Sequence, residues 1–110
     1  MPFIRIWIHL IWSTKNREPL LLPEIRHQVF SHIREKAEEK GIFLDFINGY
    51  NEHVHLIVSM NQVQTISKIV HDIKGESSHW INQNNISKFK FNWQEEYIAV
   101  SINHSAIDKV

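Results

Sequence analysis

The order of two hydrophobic periodicities along the chain limits the folds that it can adopt. Four segments have the apolar runs or alternation of β-strands, and they are residues 3–12, 42–47, 53–60 and 97–103. Two segments have apolar residues at helical spacing, and they are residues 24–40 and 65–83. Strand, helix, strand, strand, helix, strand is the ferredoxin-like order. We predict an α+β fold, βαββαβ, with a four-stranded antiparallel sheet and both helices on one face.

The composition is that of one small domain covering residues 1–110. The chain has no cysteine, so we expect neither disulfides nor thiolate metal ligands. Twelve basic and twelve acidic side chains give a net charge of zero, so any DNA binding must depend on a local patch. No apolar run approaches the ~20 residues that cross a bilayer. The first ten residues lack the features of a signal peptide. We expect a cytoplasmic protein without a membrane partner.

The pair His53 and His55 is the main candidate for chemistry. Residues two apart on a strand project from the same face, with Cα atoms about 7 Å apart. Two imidazoles could bind one metal ion from there, while Val54 between them packs into the core. The spacing alone also suits a pair of surface histidines. The predicted open face of the sheet further carries Trp7 and His9, and it must be covered by a ligand, a partner or another element.

Four segments of the chain carry a family resemblance in the same order and spacing. They are residues 48–58 (NGYNEHVHLIV), 8–17 (IHLIWSTKNR), 66–78 (ISKIVHDIKGESS) and 91–101 (FNWQEEYIAVS). The first resembles the histidine–hydrophobic–histidine signature of HUH nucleases. Together the four resemble the single-tyrosine transposases of small bacterial insertion sequences and their repeat-associated relatives. The resemblance spans nearly the whole chain.

The resemblance implies a function and a set of partners. In that family a tyrosine attacks a phosphodiester of single-stranded DNA, forming a 5′-phosphotyrosine link and releasing a 3′-OH. His53 and His55 would hold a divalent metal, Mg²⁺ or Mn²⁺, together with a third polar residue. The family acts as a homodimer that recognises hairpin DNA. The resemblance thus implies a transposase that cleaves and joins DNA strands.

The nucleophile that the resemblance requires is not found in this sequence. The family's tyrosine lies on a helix after the fourth strand, and a metal-binding glutamine follows one turn later. Here Ser105 and Asp108 have the spacing of a helix start, and the sequence ends at Val110. Tyr50 and Tyr97 do not match the nucleophile position. We therefore expect no covalent DNA link from these 110 residues alone. Either they are a fragment of a longer protein, with the nucleophile beyond Val110, or they are a degenerate copy.

The remaining expectations concern DNA contacts and the other aromatic residues and histidines. Matching the family pattern, Lys15, Arg17 and Lys74 are the candidates for phosphate contacts. Trp7 could stack on a base or lie in a dimer contact. His9 could approach the metal, but we expect it to pack against Trp7 or a partner. We do not expect Glu52 to be the third ligand. The other tryptophans are predicted near the core and the other histidines at the surface, namely Trp12, Trp80, Trp93, His27, His32, His71, His79 and His104.

Two other functions compete with a transposase. Ferredoxin-like sheets also bind RNA on the open face by stacking bases on aromatic side chains. The aromatic motif of that class is absent here. A dimeric metal-binding or regulatory domain without nuclease activity is the second alternative. Metal and hairpin DNA binding of His53→Ala and His55→Ala would separate the three.

Overall fold

A computed structural model describes residues 5–102 of the chain. Its elements are β1 (Ile6–Ser13), a 3₁₀ helix (Lys15–Arg17), α1 (Pro23–Glu39), β2 (Phe43–Gly49), β3 (His53–Met60), α2 (Ile66–Gln83) and β4 (Ile98–Ile102). The sheet order is β2-β3-β1-β4, and every neighbouring pair is antiparallel. This confirms the predicted βαββαβ fold. The predicted helix start at Ser105 and Asp108 lies outside the described residues.

The helix-covered face of the sheet forms the core. Alternate residues of β1 and β3 point toward the helices and are buried, namely Ile8, Leu10, Trp12, Val54, Leu56, Val58 and Met60. They pack against apolar residues of α1 and α2, among them Val29, Ile33, Ile69 and Ile73. The other face of the same two strands carries His9, His53 and His55. The two-residue period of a strand thus separates the core from the candidate site.

Local signals explain where the helices begin and end. α1 begins with Pro23, whose ring fixes the backbone angle that the first turn requires. It ends before Gly41, which has a φ of 74°, a conformation that glycine adopts without strain. At the start of α2 the Thr65 side chain accepts a hydrogen bond from the Lys68 amide at 3.2 Å. No helix within residues 5–102 is long and apolar enough to cross a membrane.

The connection between β2 and β3 follows an Asn-Gly pair, a sequence that is common in tight hairpin turns. Asn48 and Gly49 belong to β2, and they pair with His55 and Val54 of β3. The connection is residues 50–52, closed by a hydrogen bond from the Tyr50 amide to the His53 carbonyl at 2.9 Å. A Cβ atom on Gly49 would lie 2.4 Å from the His53 carbonyl oxygen. Glycine is therefore required there because two backbones approach closely, and the Asn-Gly pair does not form a tight turn.

The connection between α2 and β4 closes one end of the core. Phe91 and Trp93 are buried, and the Trp93 indole donates a hydrogen bond to Ser77 Oγ at 2.9 Å. The Asn82 side chain binds both the amide and the carbonyl of Phe91. Trp93 also forms a β-bridge with Thr14, directly after β1. Anchored in this way, the following residues 94–97 lie next to the end of β1 and β3 that carries His53.

Strand β4 departs from the pattern of the other strands. Ile98 pairs with Ile11 and Val100 pairs with His9, so both lie on the face opposite the helices. Their exposed fractions are 58% and 51%. The apolar alternation of this strand therefore supplies an apolar surface rather than core packing.

Candidate active site

The register of β1 against β3 places the two predicted metal ligands on one face. His55 pairs with Ile11 and His53 pairs with Ser13. The ring centroids of His53 and His55 are 4.8 Å apart, and the rings meet edge to face. Val54, between them, is fully buried on the helix side. The arrangement expected from the sequence, two imidazoles above one buried apolar residue, is present.

His9 joins this pair from the neighbouring strand. It pairs with Ile57, two residues beyond His55, and so lies on the diagonal to His55. Its Nε2 atom is 3.3 Å from Nδ1 of His55, within hydrogen-bond distance. The two ring centroids are 5.4 Å apart. Strand alternation placed His9 on the correct face, but its contact with His55 was not predicted.

An open cleft of about 440 Å³ lies beside the histidine pair. Its lining combines the end of β1, the start of β3 and the segment before β4, namely Ile11, Trp12, Ser13, Arg17, His53, His55, Gln94, Glu96, Tyr97 and Ile98. Imidazole nitrogens therefore line the same cleft as carboxylate, amide and phenol groups. Gln94 and Glu96 were not singled out from the sequence. Their signal was the polar run between the buried Trp93 and the last strand.

The charge state of His55 follows from its surroundings. Burial lowers the pKa of His55, and the neighbouring imidazoles of His53 and His9 lower it further. Metal binding requires a neutral imidazole. A lowered pKa therefore keeps His55 in the form that can bind a metal.

Glu52 lies closer to the histidines than strand alternation suggested. It precedes β3, in the connection of residues 50–52, so the two-residue period does not extend to it. Its Oε1 atom is 2.8 Å from Nδ1 of His53 and 3.9 Å from Nη2 of Arg17. The Glu52 carbonyl accepts a hydrogen bond from the Thr14 amide at 2.8 Å. The carboxylate is thus placed against the side of the His53 ring that bears Nδ1.

The donor set suits a divalent metal in part. Two imidazoles supply nitrogen ligands, and carboxylate or amide oxygens such as those of Glu96 and Gln94 are the ligand type that Mg²⁺ and Mn²⁺ prefer. Within residues 5–102, however, no three histidine or acidic side chains are grouped closely enough to hold a metal ion. His53 and His55 therefore fit as two ligands of a larger set, to which DNA phosphate, water or other residues would contribute.

Arg17 lines the cleft, and Lys15 lies two residues before it. Both belong to the short 3₁₀ helix after β1, and both are exposed. Asn16 and Arg17 have φ angles of 57° and 56°, in the left-handed region. The Asn16 amide donates to Oε1 of Gln94 at 3.2 Å, which ties this loop to the segment before β4. The exposed cations are accessible to a ligand in the cleft.

Lys74, the third residue predicted to contact phosphate, has partners within the chain. Its Nζ atom donates hydrogen bonds to the backbone carbonyls of Gln94 and Glu95, the second at 2.8 Å. It also lies 5.9 Å from the centroid of the Trp12 ring. Burial lowers the pKa of Lys74, and the nearby carboxylates of Glu96 and Glu95 oppose that shift. Any phosphate contact would have to compete with these bonds.

The other predicted residues divide between the core and the surface. Trp12 and Trp93 are buried and Trp80 is partly buried against the core, as predicted. His27, His71 and His79 are exposed, as predicted, and His104 lies outside the described residues. The prediction that His32 is a surface residue was wrong. Its side chain is 9% exposed because it stacks on Trp80, and Nε2 is 2.9 Å from both carboxylate oxygens of Glu76.

The two tyrosines differ in position. Tyr97 lines the cleft that contains His53 and His55. Tyr50 is exposed in the connection before β3, with the Arg26 guanidinium 5.3 Å from its ring centroid. Both tyrosines of the sequence lie in the described part. Of the two, only Tyr97 shares a cavity with the histidine pair.

Comparison with protein families identifies the chain. A family model described as "Transposase IS200 like" matches residues 3–110. The chain belongs to the IS200-like transposase family. This confirms the resemblance to the transposases of small insertion sequences. Membership connects the chain to DNA transposition at the level of the family.

One curated relative agrees with this assignment. The ISDra2 transposase TnpA of Deinococcus radiodurans is 31% identical over 70 residues, which are 64% of this chain and 50% of that protein. The chain thus spans about half the length of the curated relative that it matches.

Two solved structures share the fold. A candidate transposase from Deinococcus radiodurans R1 has a TM-score of 0.78 at 21% identity, over 96% of this chain and 85% of that one. A REP-associated tyrosine transposase bound to a REP hairpin has a TM-score of 0.70 at 18% identity, over 99% of this chain and 64% of that one. Their agreement with the chain extends over nearly the whole ferredoxin-like fold.

Proposed function

We propose that the chain binds single-stranded or hairpin DNA at the ends of an insertion sequence, and that His53 and His55 hold a divalent metal used in strand cleavage and joining. The observation that carries the proposal is the meeting of both histidines beside an open cleft, in a member of the IS200-like transposase family. The structural relative bound to a REP hairpin supports hairpin DNA as the ligand class.

The metal would bind through the imidazoles of His53 and His55. Mg²⁺ or Mn²⁺ bound there would polarise a phosphate oxygen of the scissile bond and stabilise the charge that develops on it. The chain's own contribution is to hold the two rings on a rigid strand pair, with Val54 anchored in the core beneath them. The cleft beside the rings would receive the phosphodiester.

DNA would approach over the rim that carries Lys15 and Arg17. Both side chains are exposed and lie in the loop that borders the cleft. Contacts of this kind position the phosphate backbone without reading sequence. Lys74 remains part of the proposed surface, but its bonds to Gln94 and Glu95 make it the weaker of the three candidates.

Cleavage would proceed by attack of a tyrosine hydroxyl on the phosphorus. The Tyr O–P bond forms, the P–O3′ bond breaks, and the departing oxygen takes a proton to become a 3′-OH. We propose that neither Tyr50 nor Tyr97 is the nucleophile. Tyr97 is nevertheless the variant to test, because it lines the cleft.

A second copy of the chain is the expected protein partner. Ile98 and Val100 present an apolar surface on β4, which suits a homodimer contact. Light scattering of the purified protein, compared with Val100→Lys, tests the dimer. A monomer at all concentrations would contradict it.

One experiment tests the central proposal against its alternatives. The protein, His53→Ala and His55→Ala are each incubated with Mn²⁺ and a labelled hairpin oligonucleotide carrying a single-stranded flank. We expect hairpin binding by all three, Mn²⁺ binding by the unaltered protein alone, and no covalent adduct with these 110 residues. If both variants bound Mn²⁺ as the unaltered protein does, a non-catalytic nucleic-acid-binding module would be favoured. Metal binding without DNA binding would favour a regulatory domain. An adduct that Tyr97→Phe abolishes would make Tyr97 the nucleophile.

A further inference from the structure

Each of the two candidate metal ligands has the same ring nitrogen engaged by a neighbouring side chain. Nδ1 of His53 is 2.8 Å from Oε1 of Glu52. Nδ1 of His55 is 3.3 Å from Nε2 of His9. Both contacts leave Nε2 as the nitrogen that could bind a metal. The two partners come from different parts of the chain, since Glu52 precedes β3 and His9 lies on β1.

The Glu52 contact determines where the proton of His53 resides. An ionised carboxylate only accepts hydrogen bonds, so Nδ1 of His53 must donate and therefore carries the hydrogen. In the neutral ring, Nε2 then has the free electron pair. The backbone of Glu52 is held next to β1, because its carbonyl accepts a hydrogen bond from the Thr14 amide at 2.8 Å.

The His9 contact allows two proton arrangements, and metal binding distinguishes them. If Nε2 of His9 donates, His55 carries its own hydrogen on Nε2 and cannot bind a metal there. If Nδ1 of His55 donates to Nε2 of His9, Nε2 of His55 has a free electron pair. Only the second arrangement makes His55 equivalent to His53. The diagonal placement of His9 across β1 and β3 brings its ring to the Nδ1 side of His55.

We propose that Glu52 and His9 are positioning residues, which hold His53 and His55 as the tautomers with hydrogen on Nδ1 and so present Nε2 of both rings to the metal. The inference rests on the metal site of the proposed function. Its physical reason is general, since a histidine ligand is oriented and made more basic by a hydrogen bond from its other ring nitrogen. Neither positioning residue needs to contact the metal or the DNA.

Histidine tautomers in the metal-free protein provide the first test. Long-range ¹H–¹⁵N NMR spectra at a pH where the rings are neutral show which nitrogen carries the hydrogen. We expect Nδ1–H for His53 and His55, with the exposed His27 as the internal reference. Glu52→Ala should remove the preference at His53 and leave His55 unchanged, and His9→Phe should do the reverse. A hydrogen on Nε2 of both rings in the unaltered protein would overturn the inference.

Mn²⁺ titration, followed by electron paramagnetic resonance, provides the second test. Loss of a residue that orients a metal ligand typically weakens binding 10–100-fold, and we expect about that loss for Glu52→Ala and His9→Phe. Glu52→Gln and His9→Gln keep an accepting oxygen and should recover part of the affinity. His27→Ala, on the outer surface of α1, should bind as the unaltered protein does. Thermal melting of each variant confirms that it is folded.

The outcomes separate this inference from the proposed function. Failure of the unaltered protein to bind Mn²⁺ would overturn the metal site, and the inference with it. Normal binding by both Glu52→Ala and His9→Phe would overturn the inference while leaving the site intact. If His9→Gln bound as poorly as His9→Phe while the His55 tautomer was unchanged, His9 would be a ligand rather than a positioning residue.

Discussion

Two histidine clusters in this molecule use similar contacts in different surroundings. Nδ1 of His53 lies 2.8 Å from Oε1 of Glu52 on the open face of the sheet, and the His53 side chain is 28% exposed. His32 binds Glu76 at 2.9 Å between α1 and α2, where Trp80 covers its ring at a centroid distance of 3.8 Å. A carboxylate partner therefore does not by itself mark a functional histidine.

The difference lies in what the rest of each ring faces. His53 lines an open cleft beside a second histidine, whereas the ring of His32 is covered by an indole and joins two helices. Burial and stacking favour a structural role, and an accessible neighbouring imidazole favours ligand binding. Substitutions in the first cluster should therefore change ligand binding, and substitutions in the second should change stability.

Substituting the paired histidines should abolish metal binding with little effect on stability. We expect His53→Ala and His55→Ala each to weaken Mn²⁺ binding by more than the 10–100-fold typical of residues around the ligands. Both side chains are only partly buried, so the free energy of unfolding should change by less than about 1 kcal/mol. Calorimetric titration and urea denaturation measure the two effects. Unchanged Mn²⁺ affinity of both variants would show that His53 and His55 are surface residues and not metal ligands.

Substituting His32 should have the opposite pattern. His32→Ala removes the stacked ring and leaves Glu76 without its partner, which should lower the free energy of unfolding by about 2 to 4 kcal/mol. Metal binding should be unchanged. His79→Ala, an exposed histidine on α2, is the matched control and should change stability by less than about 0.5 kcal/mol. Equal stability of the two variants would remove the distinction between the clusters.

A lysine with hydrogen-bond partners in the chain should contribute more to stability than an exposed lysine. Lys74→Ala breaks two hydrogen bonds to the segment before β4 and should lower the free energy of unfolding by about 1 to 3 kcal/mol. The exposed Lys68, paired with Asp72, is the control, and its replacement by alanine should cost about 0.5 kcal/mol. A Lys74 variant of normal stability but altered DNA binding would restore the sequence prediction of a phosphate contact.

The exposed rim cations should affect DNA binding alone. Each of Lys15→Ala and Arg17→Ala should lower the slope of log K against log salt by about 0.7 to 0.9, the value for one lost phosphate contact. Lys40→Ala, at the opposite end of the sheet, should leave the slope unchanged. Hairpin binding measured by fluorescence anisotropy at several salt concentrations tests this. If all three substitutions changed the slope equally, the DNA would not bind at the rim that carries Lys15 and Arg17.

The pKa of His55 should make a small, pH-dependent contribution to stability. Its pKa is lowered by burial, then by His53 and His9. Because the folded pKa lies below the unfolded one, the unfolded state binds more protons as the pH falls. The associated stability is complete above the unfolded pKa and declines as pH falls toward the folded pKa. NMR titration should show His55 becoming protonated at lower pH than the imidazole of a model peptide, and His53→Ala should reduce the difference. Titration of His55 at or above the pH of the model peptide would contradict this.

The sequence determined the fold and the face that carries the chemistry. Strand alternation placed His53 and His55 opposite Val54, and helical spacing identified both helices, because each periodicity is a local property of the chain. The residues of the family resemblance led to the same fold and to the transposase family.

Which side chains meet depends on how the elements pack against one another. The contact of His9 with His55 depends on the register of β1 against β3, and that of Glu52 depends on a connection where strand alternation no longer applies. His32 was placed at the surface because nothing in the local sequence indicates Trp80 and Glu76 on another helix. Lys74 was assigned to DNA although the segment after Trp93 supplies its partners. Contacts between residues distant in sequence arise from packing, so periodicity alone could not predict them.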